Sequence, residues 1–174
     1  MMRNLKNLWF HLVMFATSVL PDAELFMALR GWLVRPSLKR RGRNLQLARG
    51  VEIACCEHLS VGNDVYLAYH VWIQADGDVT LEDEVVIGPF TVLASRDHLF
   101  KDGSVRFGGG VTAPIRVGRG AWLASHVVVT RWVTIGAGCT IAAGAVVRSD
   151  VPDNAVFGGV PARQIGTQET GNAV

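Results

Sequence analysis

Charged side chains are scarce in this chain. They make up 18% of its 174 residues, 17 basic against 15 acidic, for a formal charge of +2. So small an excess argues against a dedicated nucleic-acid binder, which needs a strongly basic face. Cysteine is equally sparse. Cys55, Cys56 and Cys139 contain no C-x-x-C pair, and adjacent cysteines rarely bond to each other. The thiols therefore read as reduced, in a cytosolic protein. On a strand, Cys55 and Cys56 would point to opposite faces, which suits packing better than metal binding. Long apolar runs are missing too. Leu8–Leu20 is apolar but only 13 residues long, with His11 inside it, and a bilayer span needs about 20. That stretch reads as a buried or interfacial helix. No secretory signal with a convincing cleavage site is visible.

What the chain does have is apolar material, 49% of its residues, ample for the core of one domain with a small appendage. The appendage is residues 1–42, rich in Leu, Phe, Met and Trp. Pro21-Asp22 punctuates it, and Asp22 is placed to cap a second helix running to about Leu33, with Leu25, Leu29 and Leu33 at helical spacing. Pro36 would end that helix. These helices either cover one end of the main domain or attach it to a membrane surface, with the basic run Lys39, Arg40, Arg41 and Arg43 assisting. The peripheral contact would then span residues 1–43.

From Leu47 a six-residue period begins. The series Val117, Leu123, Val129, Ile135, Ile141, Val147 is aliphatic throughout, and so are Leu47, Ile53, then Val61, Leu67, Ile73, then Leu81, Ile87, Leu93. A second apolar position falls four residues later. Neither an α-helix nor a hairpin has this period. It fits a mainly β chain wound as a parallel β-helix, three short strands per coil, with each aliphatic side chain pointing inward and stacked on its equivalent one coil away. Glycines such as Gly120, Gly138 and Gly144 supply corner conformations. Periodicity does not fix the hand of the coil.

The second apolar position fails at Glu57, Gly77 and Asp97, 20 residues apart. Stacked coils would set Glu57-His58, Gly77-Asp78 and Asp97-His98 along one polar edge. A loop near residues 99–115, containing Gly108-Gly109-Gly110, would be ejected from that edge, where chemistry is expected.

Further motifs carry a resemblance. Trp122-Leu123-Ala124-Ser125-His126-Val127, Val133-Thr134-Ile135-Gly136, Ala142-Ala143-Gly144-Ala145-Val146-Val147 and the ending Gly158-Gly159-Val160-Pro161-Ala162-Arg163-Gln164-Ile165 resemble the hexapeptide-repeat acyltransferases. The likeness covers about residues 45–166, and the chain is similar to the maltose, galactoside and polysaccharide O-acetyltransferases of this superfamily. It implies a left-handed β-helix over residues 43–152, followed by a coenzyme-loop motif and tail over 153–174. It also implies a homotrimer with active sites between adjacent prisms, and acetyl-CoA as acyl donor without a metal. The acceptor implied is a hydroxyl of a sugar or polysaccharide precursor; an amine acceptor or a non-catalytic scaffold are the alternatives.

The resemblance places the catalytic base at His98, since an acceptor must lose a proton as it attacks a thioester and imidazole titrates near neutral pH. It sets Trp122, Ser125 and Ala143 along the pantetheine arm, and Arg148 and Arg163 toward the phosphates. Asp97 as an orienter of His98, Arg106 on the loop and Asp78 on the edge are candidates for the acceptor side. Arg131-Trp132 departs from the proline-glycine usual in the family, Leu123-Ala124 from isoleucine-glycine, and Arg148 from threonine. A zinc enzyme on the same scaffold would need converging histidines. His58, His70, His98 and His126 are present, but the closely spaced pair of that family is missing.

Overall fold

The computed structural model describes residues 2–168. The C-terminal part of the expected tail, residues 169–174, lies outside the described residues. Two helices open the chain, α1 (Met2–Ala16) and α2 (Glu24–Val34), and a three-sided parallel β-helix follows. Its first face carries strands at 40–41, 59–61, 79–81, 115–117 and 134–135. Its second carries 46–47, 66–67, 86–87, 122–123, 140–141 and 155–158, and its third 52–54, 72–74, 92–94, 128–130 and 146–147. All these neighbours pair in parallel, so one coil donates its backbone hydrogen bonds to the next. The strand at 40–41 pairs with Ser60 and Val61, so the first face begins before residue 43.

The six-residue period is the core. All fourteen aliphatic positions of the series are at most 1% exposed, each burial contributing roughly 1.5–3 kcal/mol. Thr91 stands at a second apolar position that the period assigns to an apolar residue. It is buried nonetheless, because its Oγ1 donates to the Ala124 carbonyl at 2.8 Å and accepts from the Val127 amide at 3.3 Å. Corners turn through left-handed backbone, at glycines and at larger residues alike. Gly50, His70, Phe90, His126 and Gly144 line up between the second and third faces with φ of 55–72°. The rings of this ladder stack, His70 on Phe90 at 5.4 Å and Phe90 on His126 at 5.0 Å.

Both ends of the second face are capped. An antiparallel hairpin, 155–158 with 163–167, closes the C-terminal end. The helices close the other. Gly31 lets α2 approach Leu45, whose carbonyl any Cβ there would strike. Asn7 of α1 donates to Glu57 Oε2 at 2.9 Å and accepts from the Cys56 amide. Cys55 and Cys56 sit on a left-handed residue and a tight turn rather than on a strand. Burial pushes the Cys56 thiol up to about 12.

The helix faces differ from the leucine spacing. In α2 the buried residues are Arg30, Gly31 and Val34, while Leu25 and Leu29 are exposed. Asp22 does not cap the helix, since the N-cap is Ala23 without a side-chain bond. Asp22 instead accepts from Arg30 Nη1 at 2.7 Å and from the Arg49 amide and Nε. Burial alone would raise its carboxyl, but the bonds from Arg49 and Arg30 outweigh it and hold it below the usual carboxylate range. Fully buried Arg30 also donates to the carbonyls of Thr17, Leu20 and Leu47. One guanidinium thus ties the link between the helices to the first coil. Arg30→Ala removes a buried guanidinium and its bonds to the Leu20 and Leu47 carbonyls, and takes one of several donors from the Thr17 carbonyl and the Asp22 carboxylate. It is expected to cost about 3–5 kcal/mol by urea unfolding, whereas a change under about 0.5 kcal/mol would refute the clamp.

Candidate active site

The polar edge lies at the corner between the third and first faces. Asp78 accepts from Lys39 Nζ at 2.7 Å and lies 3.7 Å from His58 Nδ1. One coil on, Arg96 Nη1 donates to Asp76 Oδ1 at 3.2 Å. The chain then leaves the solenoid. Gly77 explains where: a Cβ on it would meet Ala113 N and O at 2.6 Å and Ser95 O at 2.7 Å. The Ala113 amide bonds to the Ser95 carbonyl, so the chain departs and rejoins within one bond at this glycine.

Between those points it forms an antiparallel hairpin, 96–98 with 110–112, in which His98 faces Gly110. The hairpin therefore takes in the residues just before the expected loop. Asp97-His98 does not stack over Gly77-Asp78, because Ala113 occupies that level. His98 and Asp97 are both exposed. Asp97 Oδ2 accepts from Arg131 Nε at 2.6 Å, so its carboxylate is directed at the next corner of the solenoid. Arg106 lies exposed on the hairpin tip, its guanidinium 5.6 Å from the Phe107 ring. Leu99, Phe100, Val105 and Phe107 are exposed on the same projection.

The expected coenzyme residues fall into two places. Trp122, Ser125 and Ala143 line one groove on the second face, with Tyr66, Tyr69 and Pro89. Trp122 is 43% exposed, and its strand places it in register with Val86 and, beyond that, Tyr66. Arg148 and Arg163 line a separate hollow at the C-terminal end, with Ser149, Phe157 and Pro161. Both guanidinium-bearing residues are exposed, and Arg163 spends one donor on the Ala162 carbonyl.

Tyr66 and Tyr69 escaped the sequence reading. Their signal was there: Tyr66, like Trp122, is the residue just before an inward aliphatic and so faces outward on the same face. Arg131 stood out only as a departure from a motif, and nothing local ties it to Asp97, 34 residues earlier. The histidines do not converge. His70 and His126 belong to the corner stack, and among the described residues no group of three or more His, Cys, Asp or Glu is arranged to hold a metal ion.

His98 and the Trp122 groove are on different parts of one protomer. The hairpin springs from the corner between the third and first faces, the corner that the second face does not touch. His98 is not among the residues that line the groove.

Comparison with known proteins agrees with this architecture. Residues 114–149 match the model of the bacterial transferase hexapeptide (six repeats) family. The chain is similar to the galactoside O-acetyltransferase of Escherichia coli (strain K12), 32% identical over 133 residues, 76% of this chain and 66% of that protein. Two further curated relatives are spanned over only 36% and 42% of their length. Among solved structures, a galactoside acetyltransferase in complex with coenzyme A superposes with a TM-score of 0.82 at 29% identity, over 94% of this chain and 81% of that one. A hexapeptide-repeat-containing acetyltransferase of Vibrio cholerae O1 biovar eltor, complexed with acetyl coenzyme A, shares the fold. Its TM-score is 0.81 at 23% identity, over 95% of this chain and 88% of that one. By repeat, by backbone and by kinship, the chain belongs to the hexapeptide-repeat acyltransferases and shares their left-handed parallel β-helix.

Proposed function

We propose that the protein is an acetyl-CoA-dependent O-acetyltransferase acting on a hydroxyl of a sugar or polysaccharide precursor, with His98 as general base. The observation that carries this reading is the grouping of Trp122, Ser125 and Ala143 in one groove, with the two arginines in a hollow further along the column. A groove with Ala68, Gly88, Ala124, Ser125 and Ala143 in its lining leaves room for a pantetheine arm. Exposed guanidinium groups suit its phosphates. The named acceptor of the galactoside enzymes, one of them solved with coenzyme A, favours a sugar hydroxyl.

In this reading the protein works as a homotrimer. The hairpin of one protomer projects away from its own groove, so His98 serves the groove of a neighbour. His98 takes the proton of the acceptor hydroxyl as that oxygen bonds to the acetyl carbonyl carbon. As the carbon–sulfur bond breaks, the imidazolium returns a proton to the departing sulfur, and an ester and free coenzyme A result. Asp97 acts on the hairpin rather than on the imidazole: paired with Arg131, it fixes the strand that carries His98. Asp78 and Arg106 border the acceptor side.

Thiol release from acetyl-CoA, screened over sugar and amine acceptors, tests the reaction. A sugar acceptor should give turnover, and His98→Ala should lower kcat roughly 10²–10⁴-fold. Full rate in the variant removes the base, and turnover with amines alone removes the O-acetyl assignment. No turnover with any acceptor leaves a scaffold. Arg131→Ala tests the positioning. The ion pair is half exposed and contributes about 0.2–1 kcal/mol to stability, so the thermal midpoint should barely move. The value of kcat should fall roughly three- to tenfold, with KM for acetyl-CoA unchanged and partial recovery in Arg131→Lys. Unchanged kcat would show that the pair does not position His98.

A further inference from the structure

Helix α1 is apolar on two opposite sides. Phe10 and Val13 are buried toward the solenoid. Leu5, Leu8, Leu12 and Phe15 follow one another at steps of three and four residues and are all exposed, Phe15 at 80%, with Val19 just beyond at 86%. On α2, Leu25, Leu29 and Trp32 repeat the pattern, Leu25 at 74%. Trp9 of α1 and Trp32 of α2 line one groove together with Leu33, Arg35, Pro36 and Arg41. So much exposed apolar surface on two packed helices marks a docking face.

Charge indicates the occupant. Residues 1–43 hold eight basic and two acidic side chains, whereas the rest of the chain holds nine and thirteen. Of the two acids, Asp22 is held by Arg30 and Arg49. Lys39, Arg40, Arg41 and Arg43 are exposed beside the apolar face. Among the described residues the guanidinium of Arg41 has no hydrogen-bond or ion-pair partner, although it borders the indole-lined groove. A second copy meeting this face with its own would set cation against cation. Apolar stripes, two tryptophans at their margin and exposed arginines suit an interface where hydrocarbon lies below anionic headgroups. Among the described residues no helix is long and apolar enough to cross a membrane, and the face suits contact with the surface.

We infer that the outward face of α1 and α2, rimmed by Arg35 and Arg41, seats the protein on an anionic lipid bilayer. This stands independently of the acyl-transfer reading. Flotation of the full chain with phosphatidylcholine vesicles, with and without phosphatidylglycerol, tests it. Recovery with the anionic vesicles should exceed that with neutral ones by roughly tenfold or more, because several basic side chains meet the anionic surface, and should fall with added salt. Arg41→Glu should reduce it several-fold, and Leu8→Ser with Leu12→Ser should abolish it. Both variants alter exposed side chains, and an unchanged thermal midpoint confirms their fold. Absent flotation, equal flotation with both vesicles, or wild-type recovery in the leucine variant overturns the proposal. So does a wild type that ignores vesicles while the leucine variant sediments as a smaller particle, which would assign the face to another copy.

Discussion

Coil stacks on coil because no single coil can bury its own side chains. That constraint governs everything else in the molecule. A six-residue unit supplies one inward aliphatic group, which becomes buried only when its equivalents above and below are in place. The fourteen positions from Leu47 to Val147 meet the condition. The backbone follows the same logic, since each strand finds its partners one coil away. Regularity is therefore the source of stability, and each irregularity must be accommodated at a corner, where a loop can leave without unstacking the faces.

The largest irregularity is the hairpin between Ser95 and Ala113. Its base is nearly closed, with a single backbone bond joining exit and return over a glycine that has no room for a side chain. The stack continues beneath it, with the strand at 115–117 paired to 79–81 as if nothing intervened. The solenoid can thus project His98 from its surface at little cost to its core. The projection lies at the corner remote from the Trp122 groove, so the geometry that makes the hairpin cheap also separates His98 from that groove within one chain.

The repeat was legible because burial and period coincide: an inward aliphatic every sixth residue has no other simple explanation. Thr91 shows the limit of that rule, since its hydroxyl is satisfied by backbone groups from the next coil. The helices show a deeper one. Leucine spacing marked a helix through Leu25, Leu29 and Leu33, yet its buried face holds Arg30 and Gly31. A pattern of apolar residues cannot register a guanidinium buried among carbonyls 10 to 17 positions away. Nor can it register a glycine selected for close approach. Of the site, the grouping of Trp122, Ser125 and Ala143 followed from resemblance. Tyr66 was readable from register but was passed over. The Asp97–Arg131 pair was unreadable, because it depends on how the hairpin leans against the column.

The central claim is that one protomer's His98 acts on the groove of another. In-trans complementation tests it most directly. His98→Ala chains and Trp122→Ala chains, each assayed alone for its residual rate, are unfolded together, refolded as a mixture and assayed for thiol release with a productive sugar acceptor. The account predicts that mixed assemblies recover activity, because some clefts join an intact imidazole to an intact groove on the neighbouring chain. A mixture that stays as inactive as its components, in assemblies shown to contain both chains, would contradict it.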